Sequence, residues 1–178
     1  MRIVFIGSVL FSKFLLSHLI KKNYNIVGVQ TKRRSNFNSD HFNLKTICVS
    51  RKIPCRYTNN INSKNSVKWL KKLKPDLILC LGWSNLLKKG VLNIPPYGTI
   101  GFHPTKLPLN RGRHPIIWTL ALGLRETACT FFYMNQKADA GKIIVQKKIK
   151  IYKNDNATTL YKKIIMNSKK LIDNFLPN

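Results

Sequence analysis

The chain alternates short apolar runs with longer stretches in which apolar residues recur at helical spacing. The runs have the length and composition of buried strands, and most of them end at a glycine or in a polar loop. Because strands and helices alternate, the pattern predicts an α/β fold with one open, mostly parallel twisted sheet and flanking helices. The predicted strands are Arg2–Ile6, Asn25–Gln30, Pro54–Tyr57, Leu77–Leu81, Gly98–Phe102, Thr127–Tyr133 and Lys142–Ile151.

The helical stretches separate these strands and carry one apolar face each. The chain opens as a β-α-β unit, which predicts parallel neighbours joined by a right-handed crossover. Pro115 suits the first turn of a helix, and Asn156 can cap the last one. Residues 31–45 are polar and irregular, the last two strands are expected to be antiparallel, and residues 1–178 are expected to form a single domain. The predicted helices cover 14–20, 67–73, 115–122 and about 157–175.

The charge of the chain is extreme, with 32 Lys+Arg against 6 Asp+Glu and a formal net charge of +26. A basic surface attracts nucleic acid or phosphorylated ligands. The lysines are scattered, however, and accompany abundant asparagine and isoleucine, so we interpret most of the excess as compositional drift. Nucleic acid is therefore the less favoured partner, although the charge does not exclude it. Gly7, Ser8 and Lys13 interrupt the apolar start, which argues against a signal peptide or a membrane span.

The 4 cysteines show neither a C-x-x-C pair nor the spacing of a zinc site, so no metal is expected. Cys80 and Cys129 lie in apolar runs and are interpreted as small core residues. Free thiols are typical of a reducing compartment, and they predict a cytoplasmic protein.

The candidate chemistry lies where predicted strands end, since open α/β sheets bind ligands beyond the carboxyl ends of their strands. His103 follows such a strand within the rigid, cationic segment GFHPTKLPLNRGRHP, and an imidazole can carry a proton near neutral pH. Asp139 lies in the small-residue loop KADAG and could orient that imidazole. The residues alone support two plainer interpretations equally well, a packed strand-end histidine and an ordinary turn aspartate.

Several segments resemble the formyltransferases that use 10-formyltetrahydrofolate. FHPTKLPLNRGRHPI is similar to the family pattern N-x-H-P-S-L-L-P-x-x-R-G-x-x-P, and TACTFFYMNQKADAGKIIVQ is similar to its second motif. RIVFIGSVLFSKFLLSHLI resembles the family's first strand and loop, and LILCLGWSNLLKKGVLNIPPYGTIGFHP resembles its folate-binding strand and loop. The resemblance runs from Met1 to about the last helix. It implies a Rossmann-like formyltransferase fold and an enzyme that transfers a one-carbon group.

The same resemblance implies roles for individual residues. His103 would remove the proton of the acceptor amine or stabilise the tetrahedral oxyanion, and Asp139 would fix the imidazole or a bridging water. The folate co-substrate would be enclosed by two loops, and the acceptor would be approached by the first loop. The implied folate-binding residues are Trp83, Ser84, Asn85, Leu86, Leu87, Lys137 and Ala138, and the implied acceptor-binding residues are Ser8, Val9 and Phe11.

Within the family, the likeness is closer to the sugar N-formyltransferases, on the run RGRHPIIWTLALGLRETA and the stretch FNSD. It implies formylation of a nucleotide-linked amino sugar, with folate and nucleotide sugar as small-molecule partners and a homodimer as one option. A methionyl-tRNA formyltransferase is the alternative, although those enzymes carry a further RNA-binding domain beyond the point where this chain ends.

One departure from the family pattern affects the chemistry. Gly101 stands where the family has asparagine, two residues before the histidine, so a side-chain donor to the oxyanion is missing. Losing one such donor costs about 10²–10³ in rate. Asn110 and backbone amides are the candidates to replace it, and a catalytically impaired relative that binds folate or nucleotide is a further alternative.

Overall fold

The structure is a computed structural model that describes residues 1–36 and 38–177, so Phe37 of the FNSD stretch and Asn178 lie outside the described residues. Its strands are β1 (Ile3–Ile6), β2 (Ile26–Thr31), β3 (Cys55–Tyr57), β4 (Leu77–Cys80), β5 (Thr99–His103), β6 (Glu126–Tyr133) and β7 (Ile143–Lys150). Its helices are α1 (Leu10–Lys21), α2 (Lys45–Ser50), α3 (Lys64–Lys72), α4 (Lys89–Leu92), α5 (Pro115–Ala121) and α6 (Ala157–Phe175).

The strands form a seven-stranded sheet in the order β3-β2-β1-β4-β5-β6-β7. The pairs β1–β2, β1–β4 and β2–β3 are parallel, whereas β6 and β7 are antiparallel. This arrangement confirms the predicted open, mostly parallel sheet with flanking helices. The chain also divides into two compact units, Met1–Ile100 and Gly101–Pro177, with the boundary inside β5. The single domain stays a prediction.

The first unit is built around strands that are buried on both faces. Every residue of β1 and β4 is buried, as expected for parallel strands that helices cover on both sides. On α1, Leu15, Leu16 and Leu19 are fully buried and form its packing face. Ser63 caps α3 by accepting a hydrogen bond from the Ser66 backbone N–H.

The second unit is a hairpin covered by a long helix. Strand β6 is buried from Thr127 to Phe132, while most of β7 is more exposed. The Phe131 ring packs against the rings of Phe102 and Phe175 at centroid distances of 5.0 and 5.1 Å. Asn156 caps α6 as predicted, since its side chain accepts a hydrogen bond from the backbone N–H of Thr159.

Two short helices were not predicted. Helix α2 starts at the end of the segment predicted to be irregular, and α4 lies in a predicted loop. Leu44 and Lys88 occupy the N-cap positions of these helices and make no side-chain cap hydrogen bond. Without a capping residue or several turns of apolar periodicity, helices this short leave no signal in the sequence.

The cysteines are free thiols. Burial raises the pKa of Cys80 to about 12 and that of Cys129 to about 12. Both thiols are therefore protonated at neutral pH and pack as small core residues, as predicted. Across residues 1–36 and 38–177, no helix combines the length and apolar character that crossing a bilayer requires.

Candidate active site

His103 is the last residue of β5, and its ring orientation is set by a main-chain carbonyl. The residue is only 6% exposed. The Nε2 atom lies 3.0 Å from the carbonyl oxygen of Asn110. Because a carbonyl oxygen only accepts, this contact assigns the proton of the neutral ring to Nε2. Nδ1 is then the ring atom that can accept a proton.

Asp139 faces that second ring nitrogen. Its Oδ2 atom lies 3.8 Å from Nδ1 of His103 and accepts a hydrogen bond from the Gly112 backbone N–H at 3.0 Å. One carboxylate oxygen thus joins the loop after β5 to the loop between β6 and β7. The carboxylate is placed to balance the charge of the imidazole when Nδ1 takes up a proton. The structure therefore brings together the two residues for which the sequence predicted catalytic roles.

Glycines make this loop pairing sterically feasible. A Cβ atom at Gly141 would lie 1.5 Å from the carbonyl oxygen of Tyr133, so no other residue fits there. Gly112 has a φ of +107°, which side chains rarely adopt. Asp139 itself takes a left-handed φ of 49°, a conformation that aspartate tolerates better than most residues.

Three threonines hold the loop that follows His103, and sequence reasoning did not identify them. The Thr127 hydroxyl donates to the carbonyl of Pro104 at 2.8 Å, and the Thr130 hydroxyl donates to that of Thr105 at 2.6 Å. Thr105 in turn donates to the carbonyl of Leu109 at 3.0 Å. The Thr127 and Thr130 bonds join residues 23 and 25 positions apart, and nothing in the local pattern of TACTFF distinguishes these threonines from ordinary strand residues.

The position of the missing family asparagine is filled by apolar atoms. A Cβ atom at Gly101 would lie 2.8 Å from Met134 Cγ and 3.0 Å from Phe132 Cζ. Gly101 and His103 are two residues apart on β5, so their Cβ positions are on the same face. A thioether and an aromatic edge therefore border this face where the family pattern has an amide side chain.

The predicted acceptor-binding residues lie at the end of β1 and the start of α1. Ser8 is fully buried, and Val9 and Phe11 are 8% and 4% exposed. The Ser8 backbone N–H donates to the Gly82 carbonyl at 3.1 Å, and Val9 forms an isolated bridge with His41. These side chains are packed inside the first unit, and their acceptor contacts stay predictions.

The predicted folate loop of the first unit is tied to the segment after β2. Lys32 donates to Asn85 at 2.9 Å, and its ammonium lies 5.0 Å from the centroid of the Trp83 ring. Ser84 exchanges hydrogen bonds with the side-chain amide of Asn38. The loop is therefore ordered by polar contacts that sequence analysis did not anticipate.

The remaining predicted folate residues differ in exposure. Leu86 is 55% exposed, whereas Leu87 is 1% exposed. In the second unit, Lys137 and Ala138 are exposed and directly precede Asp139. The Lys137 backbone N–H donates to the Asn135 side chain at 2.9 Å, which shapes the turn before Asp139. Their folate contacts stay predictions.

Three charged side chains cluster at the surface around Lys106, in the loop after β5. Lys106 lies 2.9 Å from Glu126, and Lys148 lies 3.9 Å from the same carboxylate oxygen. The Lys106 ammonium lowers the pKa of Glu126, with a smaller contribution from Lys148.

No cluster of three or more potential metal ligands occurs in the part of the chain that the structure describes.

Comparisons with known proteins fit this geometry. The family model described as formyl transferase matches residues 1–176. Methionyl-tRNA formyltransferase from Thermotoga maritima is 33% identical over 99% of this chain, which spans 58% of that relative's length. Among solved structures, phosphoribosylglycinamide formyltransferase from Bacillus halodurans superposes with a TM-score of 0.81 and is 20% identical in sequence. The superposition covers 96% of this chain and 91% of the other chain.

A second solved structure shares the fold at a similarly low sequence identity. A sugar N-formyltransferase from Shewanella sp. FDAARGOS_354 has a TM-score of 0.75 and 18% identity, covering 99% of this chain and 68% of its own. At these identities the structural likeness establishes the fold alone. The family match covers nearly the whole chain and includes both the histidine segment and the aspartate loop, so this chain belongs to the formyl transferase family.

Proposed function

We propose that this protein transfers a formyl group from 10-formyltetrahydrofolate to a primary amine. The observation that carries the proposal is the pairing of His103 and Asp139 across 3.8 Å in a chain whose residues 1–176 match the family model. The amine nitrogen forms a bond to the formyl carbon, and the carbonyl electron pair moves onto oxygen. His103 takes up the proton that the amine loses, and Asp139 balances the charge of the ring. The electron pair on oxygen then reforms the carbonyl, the bond to N10 breaks, His103 gives its proton to N10, and tetrahydrofolate leaves.

The first acceptor to consider is the methionyl group of a charged tRNA. A relative with 33% identity over 99% of this chain is a methionyl-tRNA formyltransferase. A net charge of +26 also suits a polyanionic substrate, because cationic side chains release counterions from the phosphate backbone. The relative reverses the order of preference that the sequence motifs suggested, and the charge, interpreted above as mostly compositional drift, agrees with the new order.

A nucleotide-linked amino sugar is the second candidate acceptor. The likeness of the run RGRHPIIWTLALGLRETA to the sugar N-formyltransferases supports it. Binding at the acceptor loop around Ser8, enclosure of folate by Trp83–Leu87 and Lys137–Ala138, and assembly as a homodimer belong to the same proposal. We place this chemistry in the cytoplasm, where free thiols stay reduced.

One assay separates these functions. The full chain is mixed with 10-formyltetrahydrofolate and either methionyl-tRNA or a panel of nucleotide amino sugars, and tetrahydrofolate release is measured. We expect release with methionyl-tRNA and a loss of about 10²–10⁴ in rate for His103→Gln. Release of tetrahydrofolate with a nucleotide amino sugar but not with methionyl-tRNA would instead support the second acceptor.

Folded protein that binds folate but turns over no amine would contradict catalysis and support an impaired relative. Binding of nucleic acid without folate dependence and with a steep salt dependence would support a nonspecific basic surface. Circular dichroism of the wild type and of His103→Gln confirms that both chains are folded before rates are compared.

A further inference from the structure

We propose that Gln146 and Thr130 form a positioning pair that sets the orientation and tautomer of His103 through the backbone of residues 105–110. This inference rests on the proposed function only for its effect on turnover. Thr130 on β6 and Gln146 on β7 lie directly opposite each other in the register of the two strands. Neither residue contacts a reacting atom in the proposed chemistry.

Each donor hydrogen of the Gln146 amide and the Thr130 hydroxyl has one acceptor. Gln146 Nε2 donates to the Leu107 carbonyl at 3.0 Å and to the Thr130 hydroxyl oxygen at 2.9 Å. The Thr130 hydroxyl then donates its own proton to the Thr105 carbonyl at 2.6 Å. A carbonyl oxygen can only accept, so the direction of each bond and the orientation of the Gln146 amide are fixed. The network has no alternative arrangement that keeps all three bonds.

The network leads to the imidazole through a short stretch of backbone. Thr105, whose carbonyl is held by Thr130, donates its hydroxyl to the Leu109 carbonyl at 3.0 Å. The next carbonyl, that of Asn110, accepts from His103 Nε2 at 3.0 Å. Thr130 and Thr105 are fully buried, so water does not readily replace these bonds. Displacing the 105–110 backbone would move the acceptor that assigns the proton to Nε2.

Isosteric substitutions test the pair. Thr130→Val removes the hydroxyl at nearly constant volume, and Thr130→Ser keeps it. Thr119→Val is the matched control, because Thr119 is a buried threonine whose hydroxyl has no partner among the described residues. We expect Thr130→Val to lower kcat by about 10²-fold, as small misplacements of catalytic groups do, with KM for the folate unchanged. Thr130→Ser and Thr119→Val should retain the wild-type kcat.

A second readout is independent of activity. Nitrogen-15 chemical shifts of the imidazole, assigned with His103→Gln, report which ring nitrogen carries the proton. We expect the Nε2–H form in the wild type and a mixture of tautomers in Thr130→Val and in Gln146→Met. Gln146 is half-buried, so Gln146→Met provides a folded variant if Thr130→Val does not fold.

These results are decisive whether or not an acceptor has been identified. Wild-type tautomer shifts in both Thr130→Val and Gln146→Met would overturn the proposal. Equal damage from Thr130→Ser and Thr130→Val would also overturn it, since packing and not the hydroxyl would then be responsible. If the wild type shows no turnover with any amine, the proposed function fails, and the tautomer measurement still decides the role of the pair.

Discussion

The buried polar groups at the ends of β1 and β2 differ from those on β6. In the first unit, the side-chain polar atoms of Ser8, Gln30 and Thr31 are buried and have no hydrogen-bond partner among the described residues. In the second unit, Thr127 and Thr130 are equally buried, and each donates to a carbonyl of the loop after β5. The same residue types thus add only a desolvation cost at the ends of β1 and β2 and fix a backbone from β6.

The difference shows why the histidine loop can be held without regular secondary structure. The carbonyls of Pro104, Thr105 and Leu109 each accept a hydrogen bond from a threonine hydroxyl, so the loop obtains from side chains the bonds that a helix would obtain from its own backbone. Geometry at His103 is consequently decided by contacts from β6 and β7. Four sets of substitutions would break or sharpen this comparison.

Gly141→Ala should have the largest effect, because a Cβ atom there would lie 1.5 Å from the Tyr133 carbonyl oxygen. We expect a loss of about 3 kcal/mol or more in the free energy of unfolding, measured by urea denaturation. Gly123→Ala is the control, since its Cβ position has nothing within 4 Å and only its φ of +60° is strained. It should cost about 1–2 kcal/mol. Equal losses would show that the Asp139 loop relaxes freely.

Thr127→Val and Thr31→Val test the comparison directly. Thr127→Val leaves the Pro104 carbonyl without its donor, and we expect a loss of about 1–3 kcal/mol in the free energy of unfolding. Thr31→Val removes a buried hydroxyl that has no partner in the described chain, so it should be neutral or stabilising. Chemical denaturation of both variants measures the difference. A larger loss for Thr31→Val would reverse our interpretation.

Gly101→Asn tests whether the second unit has room for the family's usual side chain. Met134 and Phe132 crowd that position, so we expect the single variant to lose about 1–3 kcal/mol of stability. Gly101→Asn combined with Met134→Ala should recover part of that loss because the thioether no longer competes for the space. Thermal denaturation of both variants is the measurement. A single variant as stable as the wild type would show that Met134 moves aside without cost.

Asp155→Asn should have the smallest effect on stability, and the size of that effect should depend on pH. The neighbouring Lys163 holds the pKa of Asp155 below its usual range, with the Tyr152 backbone N–H as a second cause. A lowered folded-state pKa contributes stability above the usual carboxyl range, and this contribution is lost as pH falls through the folded-state value. The Tm difference between wild type and Asp155→Asn should therefore be largest near neutral pH and shrink below about pH 4. A difference that grows on acidification would contradict the ion pair.

Much of the fold follows from local pattern. The predicted strand Leu77–Leu81 and the structure's Leu77–Cys80 differ by one residue, and the helix capped by Asn156 begins where expected. Periodicity and capping act over neighbouring residues, so a single sequence contains them. The short helices α2 and α4 were missed because they lack both signals.

The sequence by itself determined that the chain is an open α/β sheet with a histidine at the end of one strand and an aspartate in a small-residue loop. Only the tertiary structure decided that these groups lie 3.8 Å apart and that Met134 crowds Gly101. It also decided that Gln146 and Thr130 hold the backbone of residues 105–110. The physical reason is the range of the interactions. Periodicity records which face of an element is buried, whereas a hydrogen bond between residues 107 and 146 depends on how distant segments pack and leaves no trace in either segment alone.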